Sequence, residues 1–200
     1  MEILANILKK LVGHTDESLS RVVMDRRTKE WVDALPTDRM DAFEISGLAW
    51  KNHVAKPWKS FSEGWYPEFD ICSANIGGGV GHASKYDIIF AEQVFEHLKS
   101  PIRAVQNVHA MLRPGGYFLL TVPFLFKVHA SPTDCTRWTP QGLACLLEDG
   151  GFAPDAIRTD SWGNRQAVRL QLRPRNYCTR LHSLKNEPDY PVVVWALARK

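Results

Sequence analysis

The residues best equipped for chemistry fall in one stretch, FLFKVHASPTDCTRWTP, residues 124–140. His129 is the natural general base there, because an imidazole exchanges its proton near neutral pH. Asp134 could orient that imidazole or bind an acceptor, and Arg137 could grip an anionic substrate through its two-pronged guanidinium, with Trp138 beside it as a substrate contact. The same residues also allow a plainer reading, a loop held in shape by an Asp134–Arg137 pair with the indole of Trp138 packed on the core. A second polar group, Glu92-Gln93 and then Glu96-His97, follows the apolar run Ile88-Ile89-Phe90 after Ala91.

Strands and helices must carry these groups. Ile88-Ile89-Phe90 is short and β-branched, as expected of a strand buried on both faces. Ser100 sits at an N-cap position with Pro101 at N1, and Ile102, Val105, Val108 and Leu112 keep helical spacing until Pro114-Gly115-Gly116 stops the helix. The run 116–124 predicts a second strand. Thr139-Pro140 then caps a helix striped by Leu143, Leu146 and Leu147, and Gly150-Gly151 ends it. Strand, helix, strand, helix implies an α/β fold with parallel strands and right-handed crossovers. DAIRTDSWGN and PVVVWALARK predict two further strands, and KSFSEGWY and PEFDIC supply candidates for the interval between Gly47 and Asp87. That interval is short, so its helices must be short or missing.

The ordered set FAEQVFEHL, MLRPGGYFLLTVPF and HASPTDCTRWTPQGL resembles the second half of the class I S-adenosylmethionine-dependent methyltransferase domain, in its small bacterial type 11-like members. The resemblance implies a Rossmann-like three-layer sandwich. Its sheet would be mostly parallel, with a compact first half and an antiparallel last strand inserted between its neighbours. It also implies S-adenosyl-L-methionine as cofactor, with Glu92 and Gln93 lining it, and makes His97 a tie between its turn and the sheet. The strand and turn DAFEISG match the family's glycine-rich turn at Glu44 and Gly47, with Ser46 where glycine is usual and Leu48-Ala49-Trp50 adding bulk. Asp70 is a candidate for the ribose hydroxyls or the adenine, since a carboxylate accepts from two donors, and Glu63 reads as a surface carboxylate. Methyl transfer to a small-molecule or sugar-like acceptor, through oxygen, is the expected activity. A catalytically degenerate member acting as a binding or scaffold protein is the alternative that the Ser46-Gly47-Leu48 turn raises. A nicotinamide-dependent dehydrogenase fits poorly, because no G-x-G-x-x-G joins the first strand to a helix.

The 200 residues suit one domain, with a helical cap over 1–38 and the α/β core over 39–200. The net charge of +3 does not call for nucleic acid, and no apolar run approaches the ~18 residues of a membrane span. Cys72, Cys135, Cys145 and Cys178 are scattered without a C-x-x-C, so reduced thiols, a cytoplasmic location and no metal are expected. Ile3, Leu4, Ile7, Leu8 and Leu11 form an apolar helical face, to pack on the domain or to lie on a membrane surface. A second helix is expected over 18–35, where the resembled family carries helices that can cover the substrate site. Gly77, Gly79 and Gly81 precede a strand rather than a helix and read as a connector. Arg165, Arg169, Arg173, Arg175, Arg180 and Lys185 make either a patch for an anionic acceptor or a solvated helix face.

Overall fold

The computed structural model describes residues 18–74, 83–130, 132–172 and 182–200. The apolar face over 3–11, the glycines 77, 79 and 81 and the arginines 173, 175 and 180 lie outside these residues. Six strands form one sheet: β1 (Asp41–Ile45), β2 (Ser60–Gly64), β3 (Tyr86–Glu92), β4 (Leu112–Pro123), β5 (Ile157–Trp162) and β6 (Val193–Arg199). Their order is β2-β1-β3-β4-β6-β5. Pairings are parallel from β2 through β4, and β6 enters antiparallel between β4 and β5. This is the expected mostly parallel sheet with an inserted antiparallel last strand.

Each sheet face carries its own apolar layer. Phe43, Ile45, Ile89, Phe118, Leu120 and Val122 pack under α2 (Pro101–Met111) and α3 (Pro140–Asp149). Ala42, Ile88, Phe90, Leu119 and Trp195 pack under α1 (Leu19–Asp33) and α4 (Arg165–Gln171). Strand residues alternate between the two layers because successive side chains point to opposite faces. α1 begins at Ser18, whose hydroxyl accepts from the Arg21 amide at 3.3 Å. Thr139 caps α3 by accepting from the Gly142 amide at 3.0 Å.

Three details depart from the sequence reading. α2 ends at Met111, so Leu112 opens β4 instead of completing the helical stripe. Arg113 precedes Pro114, which disfavours helix, and the Pro114-Gly115-Gly116 run is absorbed as an irregularity in β4 with Gly115 at φ 81°. The apolar stripe of α2 is instead Ala104, Val105, Val108 and Met111, while Ile102 is exposed. Finally, PEFDIC forms no strand: Phe69 N–H bonds the Trp65 carbonyl, and the Asp70 carboxylate accepts from the Cys72 amide at 2.9 Å. Local turn bonds satisfy this backbone in place of a sheet partner.

At the amino edge, Arg113 bonds Asp41 Oδ2 at 2.9 Å and Asp87 Oδ2 at 2.6 Å, and Asp87 also accepts from the Asp41 amide. These contacts fix the starts of β1, β3 and β4 together. At the opposite edge, β1 ends over the buried Glu44, whose carboxylate accepts from the amides of Ala49 at 3.1 Å and Trp50 at 2.9 Å. Burial outweighs those two bonds and pushes the Glu44 carboxyl up to about 7.

The paired glycines after α3 have separate jobs. Gly151 takes φ 111°, whereas Gly150 has an ordinary φ and makes room for a neighbour: a Cβ there would stand 2.0 Å from Val105 Cγ1. Gly150→Ala should destabilise the fold by about 1–3 kcal/mol, measured as a drop in the urea midpoint, since overpacking displaces α2 from α3. For Glu44, the folded state holds a proton that the unfolded chain has released between about pH 4.5 and 7. Stability therefore falls as pH rises through this window, and Glu44→Gln should remove roughly 1–3 kcal/mol of that fall in urea titrations across it.

Candidate active site

Parallel strands deliver their outgoing connections to one edge, and there β1, β3 and β4 place Ser46, Gln93 and the 124–138 loop. Ser46 and Gln93 both adopt left-handed backbone, at φ 54° and 56°, immediately after adjacent strands. Non-glycine residues held there cost energy, and such residues gather at functional sites. The Gln93 turn is fixed by its amide to the Thr121 carbonyl at 3.0 Å and by its side chain to Thr121 Oγ1 at 3.2 Å.

Beside Gln93 opens a cavity of about 430 Å³, within the range of small-molecule pockets. Its walls include Arg21 and Met24 of α1, Gln93, Glu96 and His97 after β3, and Phe126 and His129 after β4. Of the residues expected from sequence, Gln93 and His129 line it. Asp134, Arg137 and Trp138 are not among the lining residues. Asp134 takes both arms of the Arg137 guanidinium and the His129 amide, the last at 2.9 Å, which holds its carboxyl well below the usual range. Asp134 thus reaches His129 through the main chain and not through the ring. Trp138 packs in the apolar layer under α2 and α3. Asp70 closes its own tight turn.

The turn after β1 is filled from within. Trp50 is buried and stacks on Phe90 with ring centres 4.6 Å apart. Its indole N–H donates to Glu92 Oε2 at 3.1 Å, and Arg21 bonds the other oxygen of the same carboxylate. A Cβ on Gly47 would meet Glu44 Oε1 at 2.3 Å, so only glycine lets the chain pass this close to the carboxylate. The nucleoside cofactor implied by the sequence resemblance can be tested against these features. Gln93 brings its left-handed turn into the cavity wall, and the Glu96 carboxyl group in the same wall suits a sulfonium cation, whereas both oxygens of Glu92 are already taken by Trp50 and Arg21. The residues fit such a group, with the opening beside Gln93 instead of over Trp50.

Sequence reasoning named Glu96 only as the neighbour of His97 and not as a site residue. It is fully buried in the 95–97 turn, its oxygens have no hydrogen-bond partner, and burial pushes it up to about 7. Nothing in the bare string EQVFEHL distinguishes that carboxylate from exposed Glu68.

Solved structures with the same architecture include an S-adenosylmethionine-dependent methyltransferase from Mesorhizobium loti, with TM-score 0.56 and 14% identity over 90% of this chain and 98% of that one. Another is a SAM-dependent methyltransferase from Archaeoglobus fulgidus, with TM-score 0.57 and 10% identity over 98% and 99%. A third is the CurJ carbon methyltransferase, with TM-score 0.54 and 12% identity over 90% of this chain and 52% of that one. At such identities the likeness is one of fold. No curated protein matches the chain. Residues 15–157, well over half of the chain, match the family model described as a methyltransferase domain, and the chain belongs to that family.

Proposed function

We propose that this methyltransferase uses S-adenosyl-L-methionine and transfers the methyl group to an oxygen of a small-molecule or sugar-like acceptor. The observation that carries the reading is the cavity flanked on one side by the left-handed Gln93 turn and on the other by His129. The cofactor supplies an activated methyl on a sulfonium, so the protein need only align it and manage a proton. Ser46, Gly47 and Gln93 would hold the cofactor against main chain, with Glu44 and Glu92 supporting those turns and Asp70 assigned to the nucleoside end. His129 would take the acceptor's proton; burial and the nearby His97 push its pKa down, which keeps the ring neutral and able to accept. Asp134 would set His129 through its amide, and Arg137 and Trp138 are assigned to the acceptor side of the loop. The size of the cavity favours a small acceptor, while the CurJ structure belongs to a carbon methyltransferase and illustrates that this fold does not dictate the acceptor atom.

One observation favours a second reading, a methyltransferase-fold scaffold without turnover: the Trp50–Phe90 stack occupies space over β1 and β3. Calorimetry with S-adenosylmethionine and S-adenosylhomocysteine separates the two. Micromolar binding supports the enzyme, and no binding at millimolar ligand supports the scaffold. Gly47→Ala should weaken cofactor binding at least about tenfold by forcing Glu44 out of its turn. With an acceptor found by screening with labelled donor, His129→Ala should lower kcat by roughly 10²–10⁴-fold and leave cofactor Kd unchanged. Normal turnover in that variant would remove His129 from the chemistry.

A further inference from the structure

Glu96, His97 and His129 stand together in the wall of the cavity, and their ligand atoms all lie within 4.8 Å of one another. His97 Nε2 is 3.7 Å and His129 Nε2 is 3.9 Å from Glu96 Oε1. Neither distance is a hydrogen bond, so a fully buried carboxyl group is left with both oxygens unsatisfied. A buried carboxylate in that condition is costly, and an unsatisfied buried group calls for something that completes it.

The nitrogens are also set for a particular partner. His97 Nδ1 donates to the Thr133 carbonyl, so its proton is committed on that side and Nε2 carries the lone pair toward Glu96. An imidazole held by a main-chain carbonyl through one nitrogen and presenting the other is the usual posture of a metal-ligating histidine. The loop bearing His129 is pinned to the same turn. The Glu96 carbonyl accepts from the amides of Cys135 at 2.7 Å and Thr136 at 3.3 Å, and Thr133 Oγ1 donates to the His97 carbonyl at 2.7 Å. Ligand atoms around a four-coordinate zinc stand about 3.3–3.5 Å apart, given bonds of about 2.0–2.1 Å. The observed oxygen–nitrogen spacings exceed this by only a few tenths of an ångström.

We propose that Glu96, His97 and His129 form a binding site for one divalent transition-metal ion of the zinc class, with a coordination position left open to the cavity. Two imidazoles and one carboxylate favour zinc, cobalt, iron or manganese over magnesium or calcium, which prefer all-oxygen shells. Three protein ligands with one open position is the arrangement of a reactive site and not of a closed structural one. The expectation of no metal rested on the cysteine pattern; here the ligands are acidic and imidazole groups brought together from two separate loops. Binding of the ion does not rest on the methyl-transfer reading, but it would replace one part of it, since an imidazole whose Nε2 lies on a metal cannot also take the acceptor's proton there. Only its use rests on that reading: a bound ion would take up His129 Nε2 and lower the pKa of an acceptor hydroxyl at the open position, with the proton leaving to water.

The test is calorimetric titration of the chelator-treated full chain with zinc chloride, together with cobalt chloride followed by visible absorption, in the absence of donor and acceptor. One equivalent binding at micromolar or tighter Kd, weakened at least about 100-fold in both Glu96→Gln and His129→Ala, supports the site, with circular dichroism confirming that each variant is folded. Cys135→Ser should bind as the parent does, because its thiol is exposed and donates to the His97 carbonyl at 3.6 Å. No stoichiometric binding by the parent, parental affinity in either ligand variant, or loss of binding in Cys135→Ser would overturn the assignment. Because no methyl donor is present, a failed turnover assay leaves this result standing, and a failed titration leaves the methyl-transfer reading standing.

Discussion

Parallel pairing of β1, β3 and β4 is the constraint from which the rest of the molecule follows. Three strands running the same way must leave the sheet at one edge, so the Ser46 turn, the Gln93 turn and the 124–138 loop cannot avoid one another. The two apolar layers hold those strands rigid from both faces. Backbone strain at Ser46 and Gln93 is tolerated because the surrounding hydrogen bonds, to Gly64 and Thr121, leave those residues little alternative.

Glu44, Glu92 and Glu96 crowd that edge, and each is handled differently. Glu44 is met by two main-chain amides, Glu92 by an indole and a guanidinium, and Glu96 by neither. The first two solutions consume the groups they use: Trp50 and the Ala49 amide are folded inward, and α1 is drawn onto the sheet through Arg21. The third leaves a buried acid facing two imidazoles across a gap. A site arises where the protein's own groups do not complete one another.

Much of this was legible in the sequence because periodicity and capping are local. The α3 cap at Thr139 and the buried run Ile88–Phe90 follow from such short patterns, whereas the antiparallel final strand was implied only by the family resemblance. The loop frame was legible only as a choice: Asp134 and Arg137 are as consistent with a grip on a ligand as with the mutual pair the structure contains. What sequence could not reveal was long-range. The end of α2 at Met111 depends on Leu112 finding Tyr86 across the sheet, and the isolation of Glu96 depends on where a loop nearly forty residues away folds. Residue type shows that Glu96 can ionise, but only packing shows that its oxygens face two imidazoles without a hydrogen bond to either.

The bonds that hold the two ends of the sheet differ in their access to salt. Arg113, with its side chain 38% exposed, clamps Asp41 and Asp87 at the amino edge, where dissolved ions can screen the attraction. The carboxyl edge combines the Glu44 amide bonds, shielded from the solvent, with ion pairs of its own, from Arg21, whose side chain is 40% exposed, to Glu92 and from Arg137 to Asp134. Rising ionic strength should therefore weaken the Arg113 clamp and the Arg21–Glu92 tie of α1 alike, while the turn built on Glu44 keeps its shape. Only the first-strand turn is electrolyte-blind; the helix that walls the cavity is tethered by a bond that salt can reach.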